Sequence, residues 1–150
     1  MNRSLNLAHS FVDLIPDELD QGTLYISIKF ATAAHVCCCG CGQSVFTPLS
    51  PTDWKLIFDG VSASLSPSIG NWSFPCRSHY WIRSDRVHWA ETWSDIEVAR
   101  CRDSDRRNKE DYLNIKVAKV NAEKAESSNG KTSEPEELGF WGRVGRLFRS

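Results

Sequence analysis

The chain predicts a mainly β fold, a small β domain followed by a C-terminal helix, a polar linker and a short amphipathic tail helix. Three observations carry this. Short runs of β-branched and aromatic residues recur between turn-forming residues up to about position 93. Four of the six cysteines lie between positions 37 and 41. After residue 102 the composition shifts to charged and polar residues. At 150 residues the chain can bury one core, not two.

The first strand-like run is Thr23 to His35, in which Leu24, Ile26, Ile28 and Phe30 alternate onto one face of a single strand that delivers the chain into the cysteines. Further short strands are expected at Ser44 to Thr47, Trp54 to Phe58, Ser62 to Leu65, Tyr80 to Arg83 and Val87 to Trp93. Ser84-Asp85-Arg86 would close a hairpin that sets Trp81 beside Trp89. Five of the six tryptophans fall in this region, where their usual burial makes them core residues rather than ligand-stacking groups.

These pieces form a domain over residues 1–102. A charged helix follows over 103–122, with Ser104 or Asp105 as its cap and Leu113, Val117 and Val120 on one stripe. Residues 123–137 are too polar to order themselves and read as a flexible linker. Residues 138–150 form an amphipathic basic tail in which Phe140, Val144 and Leu147 recur at helical spacing, a helix expected either to dock on a partner or to fold back over an apolar face of the β domain.

A formal net charge of -1 gives no bulk electrostatic reason to bind nucleic acid. The three tail arginines, at about 1 kcal/mol each, are a small membrane anchor. No signal-like or membrane-spanning run is visible, so a cytoplasmic setting is expected, in which thiols stay reduced and clustered cysteines read as metal ligands.

The cluster His35-Val36-Cys37-Cys38-Cys39-Gly40-Cys41-Gly42 is followed, 34 positions after Gly42, by Cys76-Arg77-Ser78-His79. Two ligand pairs separated by a loop are a common zinc arrangement, because a tight turn can aim two donors from one segment at a tetrahedral ion. The candidate ligands are Cys37, Cys39, Cys41, Cys76 and His79, with Cys39, Cys41, Cys76 and His79 preferred and Cys37 as the substitute. Cys38 would face the other way in an extended segment and is expected to be a core thiol. The β domain is therefore expected to be built around a zinc site.

The cluster HVCCCGCG and the segments SLSPSIGNW and CRSHYWI, in that order, resemble the bacterial domain-of-unknown-function family numbered 6527. The flanking LYIS and HWA fit as well, so the resemblance runs from about Pro16 to Trp93. It implies a place in a bacterial ubiquitin-like conjugation pathway, with a ubiquitin-like protein and its activating or conjugating enzymes as partners. It further implies a zinc-dependent peptidase that matures the modifier or removes it from conjugates.

Such a peptidase needs an open metal position for water and a nearby general acid or base. His35, which enters the cluster directly, is the candidate for that role. Ser66 and Ser68, in what reads as an irregular Pro-Gly loop, are the other polar candidates, and Ser68 joins His35 as a candidate catalytic residue. The surplus of thiolates favours instead a closed structural site, and with it a non-catalytic zinc module that positions the conjugation enzymes through its tail. No Gly-x-Ser-x-Gly, His-Glu-x-x-His or phosphate-loop pattern is present.

Overall fold

A computed structural model describes residues 3–129. Among these residues eight strands, β1 (Ala8–Phe11), β2 (Thr23–Ser27), β3 (Thr32–Val36), β4 (Ser44–Pro48), β5 (Lys55–Phe58), β6 (Ala63–Gly70), β7 (His79–Arg83) and β8 (Arg86–Trp89), precede one helix, α1 (Asp95–Asn129). The mainly β expectation holds. The strands form two four-stranded sheets in sequence order, antiparallel except for β1, which pairs in parallel with β2. Alternate residues of both sheets meet in one core: Leu24, Ile26, Ala33 and Val45 from the first, and Leu65, Ile69, Tyr80, Ile82 and Val87 from the second.

The N-terminal segment ties the two ends of this core together. Ser4 N–H donates to Cys38 C=O (2.8 Å), Leu7 N–H to Asp85 C=O (2.9 Å) and Val87 N–H to Leu5 C=O (2.9 Å), and Leu7 is fully buried between them.

Several local readings change. Thr23 to His35 is a hairpin, not one strand: Ala31 N–H donates to Ile28 C=O (3.1 Å), and Ala31 takes a left-handed φ of 46° that reverses the chain. Ile28 and Phe30 consequently sit in the turn, 63% and 55% exposed. The strand expected at Ser62 to Leu65 runs on to Gly70 instead of giving way to a loop at Ser66, because a register irregularity between Leu65 and Ile69 accommodates Pro67 without losing the pairing to β7.

The Ser84-Asp85 hairpin forms, but its register sets Tyr80 opposite Trp89 and Trp81 opposite His88, so the two tryptophans lie on opposite faces.

The helix begins earlier and ends later than composition suggests. Ser94 and Glu97 form a reciprocal capping box, with Ser94 N–H donating to Glu97 Oε2 (2.7 Å) and Glu97 N–H to Ser94 Oγ (3.4 Å). The run Glu123-Lys124-Ala125-Glu126, expected as linker, continues the helix because each of these residues is a good helix former. Leu113, Val117 and Val120 are exposed. By its contacts the chain divides into two units, 1–112 and 113–150, and both sheets lie in the first. The expected linker beyond Asn129 and the basic tail over 138–150 lie outside the described residues.

Ala31 is exposed at its left-handed φ, a conformation that costs an L-residue about 1–2 kcal/mol, while glycine loses about 0.5–1 kcal/mol through its freer unfolded chain. Ala31→Gly should therefore stabilise the protein by up to about 1 kcal/mol in urea unfolding; a loss of stability would show that the turn is not held in this conformation.

Candidate active site and metal centre

The run of buried residues that begins in β3 continues through Cys37, Cys38 and Cys39, and the chain then turns back, with Gly40 N–H donating to Cys37 C=O (3.1 Å) and Cys37 N–H to Gln43 C=O (2.7 Å). Gly40 and Gly42 take φ values of 81° and 80°, which a side chain would resist. The turn folds Cys37, Cys39 and Cys41 towards one point, and Cys76, on the turn before β7, completes the group. The four sulfurs lie within 4.8 Å of one another.

Three of their separations are 3.4 Å (Cys37 to Cys39), 3.7 Å (Cys41 to Cys76) and 4.0 Å (Cys37 to Cys76). Zinc–sulfur bonds of about 2.3 Å set tetrahedral corners about 3.8 Å apart, so this group could hold such an ion after small side-chain adjustments. Cys38 is buried and stands outside the group, and burial pushes its thiol up to about 12. Burial also opposes ionisation of Cys76, but hydrogen bonds to its sulfur from the side chain and main chain of Ser78 and from Cys39 and Cys41 outweigh it and bring the thiol down to about 7.

His79, expected among the ligands, is turned the other way. Ser78 is the residue that points at the thiols, with its Oγ 3.1 Å from Cys37 Sγ, and side chains alternate once β7 begins at His79. A Cys-x-x-His spacing aims both donors at one ion only while the segment stays a turn; here the strand starts first.

His79 Nε2 lies instead 2.9 Å from Ser68 Oγ, and its Nδ1 3.3 Å from the main-chain oxygen of Glu91. A carbonyl can only accept, so Nδ1 carries the proton and Nε2 presents its lone pair to the Ser68 hydroxyl, which donates. β6 and β7 bring the pair together: His79 registers opposite Gly70, and Ser68 lies two residues back along β6.

Three indole rings surround the imidazole, with centroids 4.6 Å (Trp93), 4.9 Å (Trp72) and 5.6 Å (Trp81) away, and Trp72 stacks on Trp93 at 5.4 Å. All three tryptophans are half-buried, so they are walls of the site rather than core. Ser68 and His79 open onto a cavity of about 430 Å³ that is also lined by Trp54, Gly70, Trp72 and Trp93.

His35 is fully buried and away from this cavity, with Nε2 2.8 Å from Tyr80 Oη. Burial lowers its imidazole to about 4, keeping it neutral. Its partner belongs to a polar chain that sequence reasoning missed: Asn71 Nδ2 donates to Ser78 Oγ (2.9 Å) and Tyr80 Oη (3.3 Å), linking His35 to the cysteine group. Ser66 is exposed and takes no part in the pair. Trp72, Trp93 and the Glu91 carbonyl were also missed, although the Ser78, Tyr80, Ile82 alternation was available to assign His79 to the opposite face.

Metal content separates the two halves of the site. Alanine at Cys37, Cys39, Cys41 or Cys76 should abolish stoichiometric metal, measured by inductively coupled plasma mass spectrometry, whereas Cys38→Ala and His79→Ala should retain one ion per chain. Metal loss in the His79 variant would return that residue to the ligand set.

No curated protein and no solved structure matches the chain. A family model does, over residues 11–90, a span that holds all four clustered cysteines, Ser68 and His79. It carries the association with a bacterial ubiquitin-like system that the resemblance to family 6527 implies, while its description names a serine protease rather than a zinc-dependent enzyme. The chain belongs to the family described as "Bacterial ubiquitination-like system serine protease (BubE)".

Proposed function

We propose that this protein is a serine peptidase of a bacterial ubiquitin-like pathway, working in the cytoplasm on the precursor or the conjugates of the ubiquitin-like modifier. Ser68 is the nucleophile and His79 the general base. The carrying observation is the 2.9 Å contact of Ser68 Oγ with His79 Nε2 while Nδ1 is held on a carbonyl. The family's description as a serine protease supports the same reading.

In this mechanism Ser68 Oγ attacks the scissile carbonyl carbon as its proton passes to His79 Nε2. The imidazolium gives that proton to the departing amine nitrogen, which leaves an acyl ester on Ser68. Water then attacks the ester, yields a proton to Nε2, and the proton returns to Ser68 Oγ as the carboxyl product departs. The Glu91 carbonyl keeps Nδ1 protonated throughout, and the indoles of Trp72, Trp81 and Trp93 fix the ring and offer π electrons to its charged form.

A zinc ion would be held by Cys37, Cys39, Cys41 and Cys76. With four thiolates as ligands it would supply cross-linking rather than Lewis-acid chemistry. It would clamp the turn at Cys76, three residues before His79. This argues against the metallopeptidase expectation and against His35 as its acid or base.

Ser68→Ala should lower kcat/KM for modifier cleavage by at least about 10³-fold, as loss of a serine nucleophile does elsewhere, with zinc content unchanged. Retained cleavage in that variant would sink the proposal. Replacing zinc with cadmium should preserve both fold and cleavage, because thiolates hold either ion; loss of cleavage in a folded, cadmium-loaded protein would restore a chemical role for the metal.

A further inference from the structure

We propose that the open edge of β6 beside Ser68 takes the substrate as an added strand, an extended peptide whose main chain hydrogen-bonds to Gly70. This rests on the serine-peptidase reading of Ser68 and His79, and names how that site holds its substrate.

β5 covers only the first half of β6. Its first residue, Lys55, registers opposite Ser66, and the preceding chain turns away, with Trp54 N–H donating to Pro48 C=O (3.1 Å). β6 runs on to Gly70. Its last residues therefore have β7 on one side and, among the described residues, no strand on the other.

The direction of the Gly70 main chain follows from its neighbours. Ala90 N–H donates to His79 C=O (2.9 Å), so the His79 main chain bonds towards β8 and not β6. Asn71 N–H donates to Ser78 C=O (2.8 Å), which marks residue 71 as one that bonds across to the β7 side. Hydrogen-bonding direction alternates along an antiparallel strand, so Gly70, registered opposite His79, points its N–H and C=O away from β7.

On that side lies the cavity of about 430 Å³, which Gly70 lines together with Ser68, His79 and Trp54, and whose far wall is Cys101, Asp105 and Lys109 of α1, with Lys109 ion-paired to Asp53. A peptide added there continues the sheet in the place β5 vacates, and its main chain runs past the nucleophile. Gly70 also carries the roof of the site: a Cβ on it would lie 2.3 Å from Trp72 Nε1, so the indole rests directly on its Cα.

The test uses two reagents on the full-length protein. An acetylated alanyl-glycyl tetrapeptide diphenyl phosphonate reacts with Ser68 Oγ by displacing phenoxide and needs the peptide site. Phenylmethanesulfonyl fluoride reacts at the same oxygen by losing fluoride and does not. Peptide phosphonates N-methylated at one amide at a time are compared by rate of Ser68 labelling in mass spectrometry, and Gly70 amide exchange is followed by NMR in both adducts.

We expect N-methylation at one position to slow labelling tenfold or more. Gly70 exchange should slow at least tenfold in the peptidyl adduct alone. Equal rates across the N-methyl series, Gly70 protection in both adducts, or labelling by the sulfonyl fluoride and none of the peptides would each overturn strand addition and leave the nucleophile assignment standing. Failure of both reagents to label Ser68 would overturn the two together.

Discussion

Strand β7 sends successive side chains to opposite faces, and both halves of the site depend on that alternation. Ser78, just before the strand, and Tyr80 and Ile82 within it are buried on the inner side, where they meet Cys37, His35 and the core. His79 and Trp81 face the other way, towards Ser68 and the indole cage. A slip of one residue would bring His79 to the thiols and leave Ser78 opposite Ser68, exchanging a base for a hydroxyl. The register is pinned by the Asn71 to Ser78 hydrogen bond, by the pairing of Tyr80 with Trp89, and by Cys76 in its cluster.

The thiolate group and the serine-histidine pair are therefore coupled through geometry rather than shared chemistry. Asn71 donates to both Ser78 and Tyr80, so one buried amide braces the residues on either side of His79. Such a network is stabilising only while every member is satisfied, because a buried polar group left without a partner costs about 1–3 kcal/mol. A disturbance at the thiols is thus transmitted to the strand that carries His79.

Local features were legible in the sequence and non-local ones were not. The cysteine cluster, the Ser84-Asp85 turn and most strands announce themselves within a few residues. The β2–β3 reversal was hidden because its turn uses Ala31 where a glycine would have marked it. The helix start was written in Ser94 and Glu97, but the later Ser104 and Asp105 resemble a cap equally well when the end of β8 is not known. The Ser68 and His79 partnership could not be read locally: it requires the pairing of β6 with β7 and the irregularity between Leu65 and Ile69 that absorbs Pro67. With that pairing unseen, His79 had only its spacing from Cys76 to define it, and that spacing suggests a ligand.

The third member of the constellation leaves no trace in sequence at all. A carboxylate that orients a histidine can be sought as Asp or Glu, but here the acceptor for Nδ1 is the main-chain oxygen of Glu91, and any residue there would supply the same atom. That choice has a physical consequence. A carbonyl does not titrate, so it holds the imidazole tautomer without introducing a second ionisation, but it also brings no full negative charge to stabilise the imidazolium that the proposed mechanism calls for. In that proposal the indoles packed around the ring are the groups close enough to offset the loss, by about 0.5–2 kcal/mol for a ring whose face the imidazolium meets. Of the five tryptophans expected as core, Trp54 and Trp89 do pack against it, and Trp72, Trp81 and Trp93 are gathered instead around one histidine.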